Sequence, residues 1–466
     1  MHQPLFHIDV TSDNADLYQS SLKVIRVLEN AGYQAWIVGG FIRNALMGLP
    51  AHDADIASAA PWKVSRQLFE EASFTTHETG TKHGTLTVIV DGYPFEVTTF
   101  RHDGAYKDAR HPECVEFVQS IEQDLARRDF TMNALAYHPD RGVLDLFGGV
   151  DDIKAGVIRA VGDPHKRFAE DALRILRGCR FASELGFVVE DTTYNGMIAN
   201  KGLLSRIAVE RVRIELDRLL MGKDAGTALM LYVDVLSVVL PELVAMKGFN
   251  QQTPYHCYDV LEHTAHAVDG VAFDLLARWT MLCHDMGKPA AFFVDEKGIG
   301  HFYGHAAISV NIARGILERL KVSPTFADQV CLLVKRHDDV IEPTPRAVKR
   351  MLTKLGGDTQ LFRTLCEVKR GDTSAQAQPY RAARREIIDT LEQTLDEILA
   401  KDEAFSLSKL AINGNDVVAL GVRQGPFVGQ ALQATLNAVI DEAIPNEPEA
   451  LSKYVSAWWH ACDKTK

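Results

Sequence analysis

The chain has 466 residues, of which 46% are hydrophobic and 24% are charged, and its formal net charge is −12. This length predicts about three domains, and the composition excludes a largely disordered chain. The negative net charge argues against nucleic-acid binding over the whole surface but allows a local basic patch that binds RNA. No apolar run reaches the roughly 18 residues of a membrane-spanning helix. Seven cysteines without CxxC pairs fit a reducing cytosol, so we expect a cytoplasmic protein.

Residues 35–58 carry the first chemical signal. The pattern predicts a strand at Ala35–Val38, a turn at Gly39–Gly40 and a helix that ends at Gly48, followed by Asp53 and Asp55. Two aspartates two positions apart on a strand share one face, where they repel unless a cation lies between them. Mg²⁺ prefers such oxygen ligands together with triphosphate oxygens. The stretch therefore predicts a metal–triphosphate site; the alternative is a pair of solvated turn residues.

The residues before and after the two aspartates extend this site. Gly39–Gly40 lets backbone amides approach a phosphate at the start of a helix. Arg43, one turn into that helix, is placed to reach the same phosphates, and Ser58 is a further candidate residue there. These neighbours favour the metal–triphosphate interpretation over the solvated turn.

Residues 84–101 alternate like two strands around the turn Asp91–Gly92. Glu96 stands between Phe95 and Val97, so its side chain points to the opposite face of the second strand. It is a candidate third carboxylate for a two-metal site. The alternative is the exposed face of an amphipathic strand.

Residues 115–137 predict a short strand and then a helix that contains LARRDFTMNALA. Arg127 and Arg128 would supply positive charge beside a triphosphate, while Asp129 and Asn133 would hold a sugar or fix the arginines. The alternative is a charged helix start with Asp129 near the cap.

Residues 164–222 are predicted to be helical, and RFAEDALRILRGCRF presents a polar row on one face. Asp171, Arg174 and Arg177 lie three positions apart, and Arg180 extends the row. Asp accepts a hydrogen bond from an exocyclic amino group and Arg donates to a ring nitrogen or carbonyl. CTP and ATP carry that amino group, whereas UTP and GTP do not. The alternative is a basic face that binds a nucleic-acid backbone.

Histidines cluster in residues 256–338, after the polar boundary at Pro241 and 250–253. An apolar helix ends in His-Asp-Met-Gly-Lys-Pro, and further histidines lie before and after it. Imidazole and carboxylate groups together are ligands suited to a transition metal or Mg²⁺. The alternative is a set of satisfied core histidines. The candidate ligands are His263, His284, Asp285, His305 and His337, and His256, Lys288 and Asp338 are candidate ligands or substrate-facing residues. Residues 370–380 predict a loop and 381–402 a long helix.

The motifs GGFIRNALMG, DAD, LARRDFTMNALA and RFAEDALRILRGCRF, in this order over roughly residues 25–220, resemble the class II tRNA nucleotidyltransferases. These are the CCA-adding enzymes and the bacterial poly(A) polymerases, in the polymerase-β superfamily. HDMGKP and its flanking histidines resemble the HD domain of metal-dependent phosphohydrolases. The resemblance implies an α+β fold with a polymerase-β-like head and a mixed sheet, followed by an all-α neck, HD and body/tail region. The implied domains are 20–155, 156–245, 250–345 and 346–466.

The resemblance also implies residue roles. Asp53 and Asp55, with Glu96, would hold Mg²⁺; Gly39, Gly40, Arg43 and Arg128 would bind nucleotide. The Arg127–Asp129 unit would help select a ribonucleotide, and Asp171 and Arg174 would select the base. Arg177 and Arg180 would contact phosphate or the incoming nucleotide. The HD site would hold a divalent metal; some family members with such a domain hydrolyse 2′,3′-cyclic or 2′-phosphates, and others keep the fold without the activity. The body and tail would grip tRNA, with Arg381, Arg384 and Arg385 as candidates.

Residues 100–125 resemble the family's flexible loop, which helps switch the site from CTP to ATP. Its polar residues are Arg101, Asp103, Tyr106, Asp108 and Arg110. Arg110-His111-Pro112 replaces the more usual Arg-Arg-Pro. TGTKHGTLTV (79–88) resembles the CCA-type version and weighs against a poly(A) polymerase.

We therefore predict a tRNA nucleotidyltransferase that adds C, C and A to tRNA 3′ ends from CTP and ATP without a nucleic-acid template, with an HD phosphohydrolase activity. An A-adding enzyme and a poly(A) polymerase share these motifs. A phosphohydrolase with an RNA-binding head is an alternative of another class, although such a module has no need for two metal-binding aspartates.

Overall fold

The computed structural model describes residues 7–80, 84–103, 115–118 and 120–463. The chain divides into two compact units with the boundary between Pro241 and Glu242. The finer division into four domains stays a prediction. No helix in the described ranges is long and apolar enough to cross a membrane.

A mixed sheet of seven strands organises the first unit. The strands of this unit are β1 Ala35–Val38, β2 Asp55–Ser58, β3 Thr75–Gly80, β4 Thr85–Val90, β5 Tyr93–Thr99, β6 Arg101–Asp103, β7 Val115–Phe117, β8 Leu135–His138, β9 Gly142–Asp145, β10 Val157–Ile158 and β11 Val188–Val189. The sheet has the order β3-β4-β5-β2-β1-β8-β9. Its neighbours are antiparallel except β2 and β5, which run parallel.

The pattern of buried and exposed residues along β1 and β5 matches their positions in the sheet. All four residues of β1 are buried, as expected for a central strand covered on both faces. In β5, Phe95 and Val97 are buried and Glu96 is exposed, which confirms the predicted alternation. The turn between β4 and β5 is confirmed too: Asp91 and Gly92 have φ values of 52° and 86°, as a tight hairpin turn requires.

Helices cover the sheet and complete the first unit. They are α1 Ala15–Asn30, α2 Gly40–Leu46, α3 Trp62–Glu71, α4 Ile121–Ala126, α5 Gly149–Ala155, α6 Pro164–Glu170, α7 Leu173–Leu185, α8 Asp191–Asn200, α9 Val209–Leu220, α10 Ala225–Leu231 and α11 Val233–Leu236. α1 packs on β1 and α3 through an apolar stripe that includes Leu17, Val24 and Leu28. α7 packs along α9.

Two helix predictions in this unit were wrong in part. The helix predicted across 115–137 ends at Ala126, and residues 135–138 instead form β8, because this buried segment pairs with β1 and β9. The helical run from residue 164 breaks at Asp171, whose backbone is extended (φ −138°, ψ 102°). There the Asp171 side chain accepts a hydrogen bond from the backbone of Leu173, which competes with the helix.

The second unit is mostly helical. Its elements are α12 Val260–Asp269, α13 Leu275–Cys283, α14 Lys288–Ala291, β12 Phe293–Val294, β13 Gly300–His301, α15 His305–Arg319, α16 Pro324–Arg336, α17 Pro345–Lys354, α18 Thr359–Ser374, α19 Gln378–Ala400, α20 Gly414–Ala419, α21 Pro426–Ile440 and α22 Pro448–Asp463. One apolar core joins α16 to α19, and a smaller one joins α20 to α22.

The loop predicted at 370–380 was wrong for its first half. α18 continues to Ser374 because this polar segment packs against α12 and α13. Gly371 allows that approach: a Cβ there would lie 2.5 Å from Val271 and 2.8 Å from the carbonyl of Ala267. The long helix predicted at 381–402 is confirmed as α19.

Candidate functional sites

Two aspartates flank the start of β2. Asp55 is its first residue, whereas Asp53 precedes the strand and does not belong to it, contrary to the expectation of one strand. Ala54 between them is buried and both aspartates are exposed. The alternation of a strand therefore continues past its end, so the two carboxylates share a side.

Glu96 joins them from the neighbouring strand. In the parallel pairing of β2 with β5, Ile56 lies opposite Val97, so Asp55 and Glu96 stand side by side on the other face. Partial removal of its carboxyl from water and the charges of Asp53 and Glu96 raise the pKa of Asp55 to about 6, while Arg128 opposes the shift. A carboxyl group beside two further carboxylates suits a divalent cation with oxygen ligands. The three residues therefore fit Mg²⁺.

The predicted phosphate loop lies beside two arginines. Gly39 has a φ of 75°, and a Cβ on it would meet Arg128 Nη1 at 3.0 Å. Arg128 Nη1 donates to the carbonyl of Asn133 at 3.4 Å. Arg43 Nη1 donates to Asn133 Oδ1 at 2.7 Å. Gly39, Gly40, both arginines and Asn133 are thus brought together, and Ser58 is not, since it is fully buried at the far end of β2.

Asp124 is a member of this cluster that the sequence analysis missed. Its side chain is fully buried on α4, where Oδ1 accepts from Arg127 Nη2 at 2.7 Å and Oδ2 from Arg128 Nη2 at 3.3 Å. Burial by itself would raise its pKa, but the two guanidinium groups hold the pKa of the Asp124 carboxyl below its ordinary value. One charged carboxylate therefore orients both arginines. The available signal was an Asp three and four positions before the Arg pair.

Asp129 links the arginine pair to α7. It is buried, and its Oδ2 accepts from Arg177 Nε at 2.7 Å while Oδ1 accepts from Asn133 Nδ2 at 3.2 Å. Burial would raise the pKa of Asp129, but Arg177 and Arg174 hold it well below its ordinary range. Asp129 therefore stays charged and connects Arg177 on α7 to Asn133.

The row on α7 is less uniform than its spacing predicts. Arg174 is buried, and its guanidinium donates to the carbonyls of Arg127 (2.9 Å) and Arg167 (3.2 Å). Asp171 stands before the helix, with its Oδ2 3.8 Å from Arg211. Arg174 is thus held by two backbone carbonyls and by Glu170 Oε2 at 3.0 Å, while the Asp171 carboxylate accepts from the backbone of Leu173 and lies near Arg211.

Arg180 faces the interior of the unit. It is 2% exposed, with Nε 3.3 Å from Glu215 Oε2, and burial lowers its pKa to about 10. Its guanidinium lies 4.1 Å from the ring of Phe181, which Arg43 and Arg177 also approach, at 5.2 and 5.4 Å. This ring helps the three like charges to coexist. A direct contact of Arg180 with nucleotide stays a prediction.

The predicted flexible loop is only partly described. Arg101 and Asp103 bound β6, which pairs with β7. Tyr106, Asp108 and Arg110 lie outside the described residues.

Four histidines and an aspartate meet in the second unit. His263 and His284 face each other with Nε2 atoms 3.3 Å apart, and His305 and His337 do so at 3.2 Å. Asp285 lies between the pairs: its Oδ2 is 3.1 Å from His284 Nε2, and its Oδ1 is 3.4 Å from His305 Nε2. The ligand atoms form two groups that could each hold an ion, and Asp285 belongs to both.

Backbone contacts define which nitrogen of each ring carries hydrogen. The four Nδ1 atoms lie 3.3, 2.6, 2.9 and 2.6 Å from the carbonyls of Ala375, Met281, Phe302 and Val334, in chain order. A carbonyl only accepts, so each Nδ1 carries a hydrogen and each Nε2 is the ring atom directed at the other histidine and at the carboxylates. Nitrogen and carboxylate oxygen atoms this close together need a proton or a metal cation between them. Both pairs therefore fit a metal ion, with Asp285 as the bridging carboxylate.

Asp372 is the second residue that the sequence analysis missed. It lies on α18, with Oδ1 3.0 Å from His263 Nε2. Burial by itself would raise the pKa of Asp372, but the hydrogen bond and charge of His263 outweigh it and hold the pKa well below its ordinary range. The polar context Arg-Gly-Asp-Thr predicted a loop and concealed a ligand position in a packed helix. Lys288 is also part of the cluster, with Nζ 2.6 Å from Asp285 Oδ2.

Comparisons with known proteins agree with this architecture. Residues 35–159 match the family model of the poly A polymerase head domain, residues 186–247 that of an RNA- and SrmB-binding site of polymerase A, and residues 301–455 that of a tRNA nucleotidyltransferase second domain. The CCA-adding enzyme of Geobacillus stearothermophilus is 33% identical over 452 residues, which cover 96% of this chain and 98% of the relative. That of Limosilactobacillus fermentum is 31% identical over 441 residues, or 94% and 96%.

Solved structures agree as well. The crystal structure of the Bacillus stearothermophilus CCA-adding enzyme in complex with CTP has a TM-score of 0.71 at 30% identity and covers 96% of this chain and 99% of that one. The Thermotoga maritima CCA-adding enzyme complexed with tRNA shares the fold, with a TM-score of 0.59 at 18% identity, covering 98% and 100%. The fold and the carboxylate cluster thus define a nucleotidyltransferase with a polymerase-β-like head. The chain belongs to the family of CCA-adding enzymes.

Proposed function

We propose that this protein adds C, C and A to the 3′ end of tRNA in the cytoplasm, using CTP and ATP and no nucleic-acid template. The observation that carries the proposal is the juxtaposition of Asp53 and Asp55, at the start of β2, with Glu96 on the neighbouring strand β5, inside a chain of this family. A tRNA-binding role for the helices from residue 346 onward, including Arg381, Arg384 and Arg385, belongs to the same proposal.

In this mechanism the terminal ribose hydroxyl attacks the α-phosphate in line, a new P–O bond forms and pyrophosphate leaves. Asp53, Asp55 and Glu96 would hold Mg²⁺, which when bound supplies activation of the hydroxyl and neutralisation of the leaving group. The amides at Gly39–Gly40 and the guanidinium groups of Arg43 and Arg128 bind the triphosphate.

Sugar and base are recognised on the side of α7. Asp129 and Asn133 orient the arginines next to the ribose, and Arg127 and Arg177 add positive charge there. Asp171 accepts a hydrogen bond from the amino group that cytosine and adenine share, and Arg174 donates to the neighbouring ring nitrogen or carbonyl. The backbone carbonyls that hold Arg174 limit its motion, so base choice comes from a rigid protein edge.

Nucleotide addition to three tRNA transcripts tests the proposal. The transcripts end at the discriminator base, at C and at CC, and each receives labelled CTP, labelled ATP or both in Mg²⁺. We expect addition of CCA to the shortest transcript. A single A added only to the CC-ended transcript would instead identify an A-adding enzyme, long A tails a poly(A) polymerase, and no addition would overturn the transferase proposal.

Asp124→Asn tests how the arginine pair is held. Asn keeps the size of the side chain but loses its charge and turns one of two acceptors into a donor that faces a guanidinium. Because charge-assisted hydrogen bonds contribute about 1.5–3 kcal/mol, we expect kcat/KM for both CTP and ATP to fall by about 10- to 100-fold. Steady-state kinetics on CC-ended and discriminator-ended tRNA measure this.

The matched control is Glu122→Gln on the same helix, since Glu122 is exposed and accepts a local hydrogen bond from Ser120, two residues earlier. Equal kinetics for the two variants would contradict an orienting role for Asp124.

We propose a second function for the histidine cluster: metal-dependent hydrolysis of a phosphate ester. The supporting observation is the pair of Nε2–Nε2 contacts at 3.3 and 3.2 Å around Asp285. His263, His284, Asp285 and Asp372 would hold one divalent ion, and Asp285, His305 and His337 another. Bound metal supplies a hydroxide nucleophile and polarises the phosphoryl oxygens. Some family members with such a domain hydrolyse 2′,3′-cyclic or 2′-phosphates, so these esters are the first substrates to test.

A further inference from the structure

His256 lies next to the histidine cluster but is not one of its candidate ligands. It precedes α12, and its ring stands perpendicular to that of His263, with centroids 4.8 Å apart. Its Nε2 is 3.4 Å from Lys288 Nζ, and the same ammonium group is 2.8 Å from Gln251 Oε1. His256 is thus held between a ligand of the cluster and a buried positive charge.

This contact determines which ring nitrogen carries the hydrogen. An ammonium group only donates, so His256 Nε2 must accept from Lys288 and the hydrogen lies on Nδ1. A ring whose Nε2 accepts carries its one N–H hydrogen on Nδ1 and is therefore neutral. It therefore offers a single N–H donor.

That donor has no acceptor. His256 Nδ1 is buried and makes no hydrogen bond to any described residue of the chain. A buried donor left unsatisfied costs about 1–3 kcal/mol, so such a group in a native fold calls for an acceptor from outside. Its neighbours are the ammonium of Lys288, which pairs with Asp285 at 2.6 Å, and the candidate metal ligands of the cluster. Divalent ions bound by those ligands would make this environment favour an anionic oxygen.

We propose that His256 Nδ1 donates a hydrogen bond to a phosphoryl oxygen of an ester bound at the His284–Asp285 centre. His256 is then a substrate-binding residue for a phosphate anion, and this inference rests on the proposed phosphohydrolase function. Nothing in the nucleotidyl-transfer site depends on it.

The test uses the full-length protein loaded with Mn²⁺ and two probes. Calorimetry measures the Kd of inorganic phosphate, and hydrolysis of bis(p-nitrophenyl) phosphate gives KM and kcat. We expect His256→Ala to raise the phosphate Kd by about 10- to 100-fold, as the loss of a hydrogen bond to a charged group predicts. His256→Asn should recover much of the affinity, because its amide N–H occupies nearly the place of Nδ1.

Two controls accompany these variants. His266→Ala alters a histidine of α12 whose ring packs on Tyr258, at 4.3 Å between centroids, and should change neither probe. Metal content, measured on each protein, and CCA addition should be the same throughout.

The outcomes separate the inference from the proposed function. An unchanged phosphate Kd in His256→Ala with metal retained overturns the inference, and so does loss of metal in that variant, which would make His256 a structural support of the centre. Binding of phosphate that depends on His256 without hydrolysis by the native protein upholds the inference and overturns the phosphohydrolase. Neither binding nor hydrolysis in the metal-loaded native protein overturns both.

Discussion

Asp55→Ala is expected to reduce nucleotide addition by about 1,000-fold or more. The substitution removes the carboxylate whose pKa is raised to about 6 by burial and by the charges of Asp53 and Glu96. Without it the remaining carboxylates no longer converge on one cation, and the contribution of a bound metal to the transition state, several kcal/mol, is lost. Incorporation of labelled CMP and AMP into tRNA in Mg²⁺ measures the effect.

Asp151→Ala is the control, because Asp151 has an 88% exposed side chain on α5 and a long ion pair of 3.8 Å with Lys154. It should leave addition unchanged, and both variants should keep any phosphate-ester hydrolysis. If Asp55→Ala retained addition to within tenfold, the aspartates would not form the metal site. Retention of every measurable function would favour a phosphohydrolase whose first unit only binds RNA.

His284→Ala is expected to lower the content of bound divalent metal and to reduce hydrolysis of bis(p-nitrophenyl) phosphate by at least about 100-fold, while CCA addition stays unchanged. His284 Nε2 lies 3.1 Å from Asp285 Oδ2, and although burial opposes it, the charge of Asp285 raises the pKa of His284. This position therefore favours a positive charge, and the His284 imidazole is one of the groups that would bind a metal cation there. Metal analysis and the hydrolysis assay on the same preparation measure the change.

Because His284 is fully buried, Asp372→Asn serves as a second variant that keeps the size of its side chain. It should lower metal content and hydrolysis in the same direction, and His266→Ala should alter neither. Loss of CCA addition together with hydrolysis in His284→Ala would contradict two independent sites. Full hydrolysis with normal metal content in both variants would contradict a catalytic role for the histidine cluster.

Much of the first site was predictable because its signals are local. Gly39–Gly40, the spacing of Asp53 and Asp55, and the position of Glu96 between two apolar residues each depend on backbone periodicity or glycine conformation, which a few neighbouring residues set. The hairpin of β4 and β5 followed from the same periodicity and from Asp91–Gly92. Local patterns failed at residues 135–138, where pairing with two strands outweighs helix propensity, since strand formation depends on partners distant in sequence.

Residue types and their spacing by themselves thus determined the carboxylate pair, the arginine motif, the order of the histidine ligands and the family to which the chain is similar. Only the tertiary structure revealed Asp124 beneath the two arginines, Asp372 beside His263, the interior position of Arg180 and the unsatisfied nitrogen of His256. The physical reason is common to all four. Burying a charged group or a polar nitrogen costs free energy unless a partner satisfies it, so each such group points to a specific partner. Burial itself depends on elements that lie far apart along the chain.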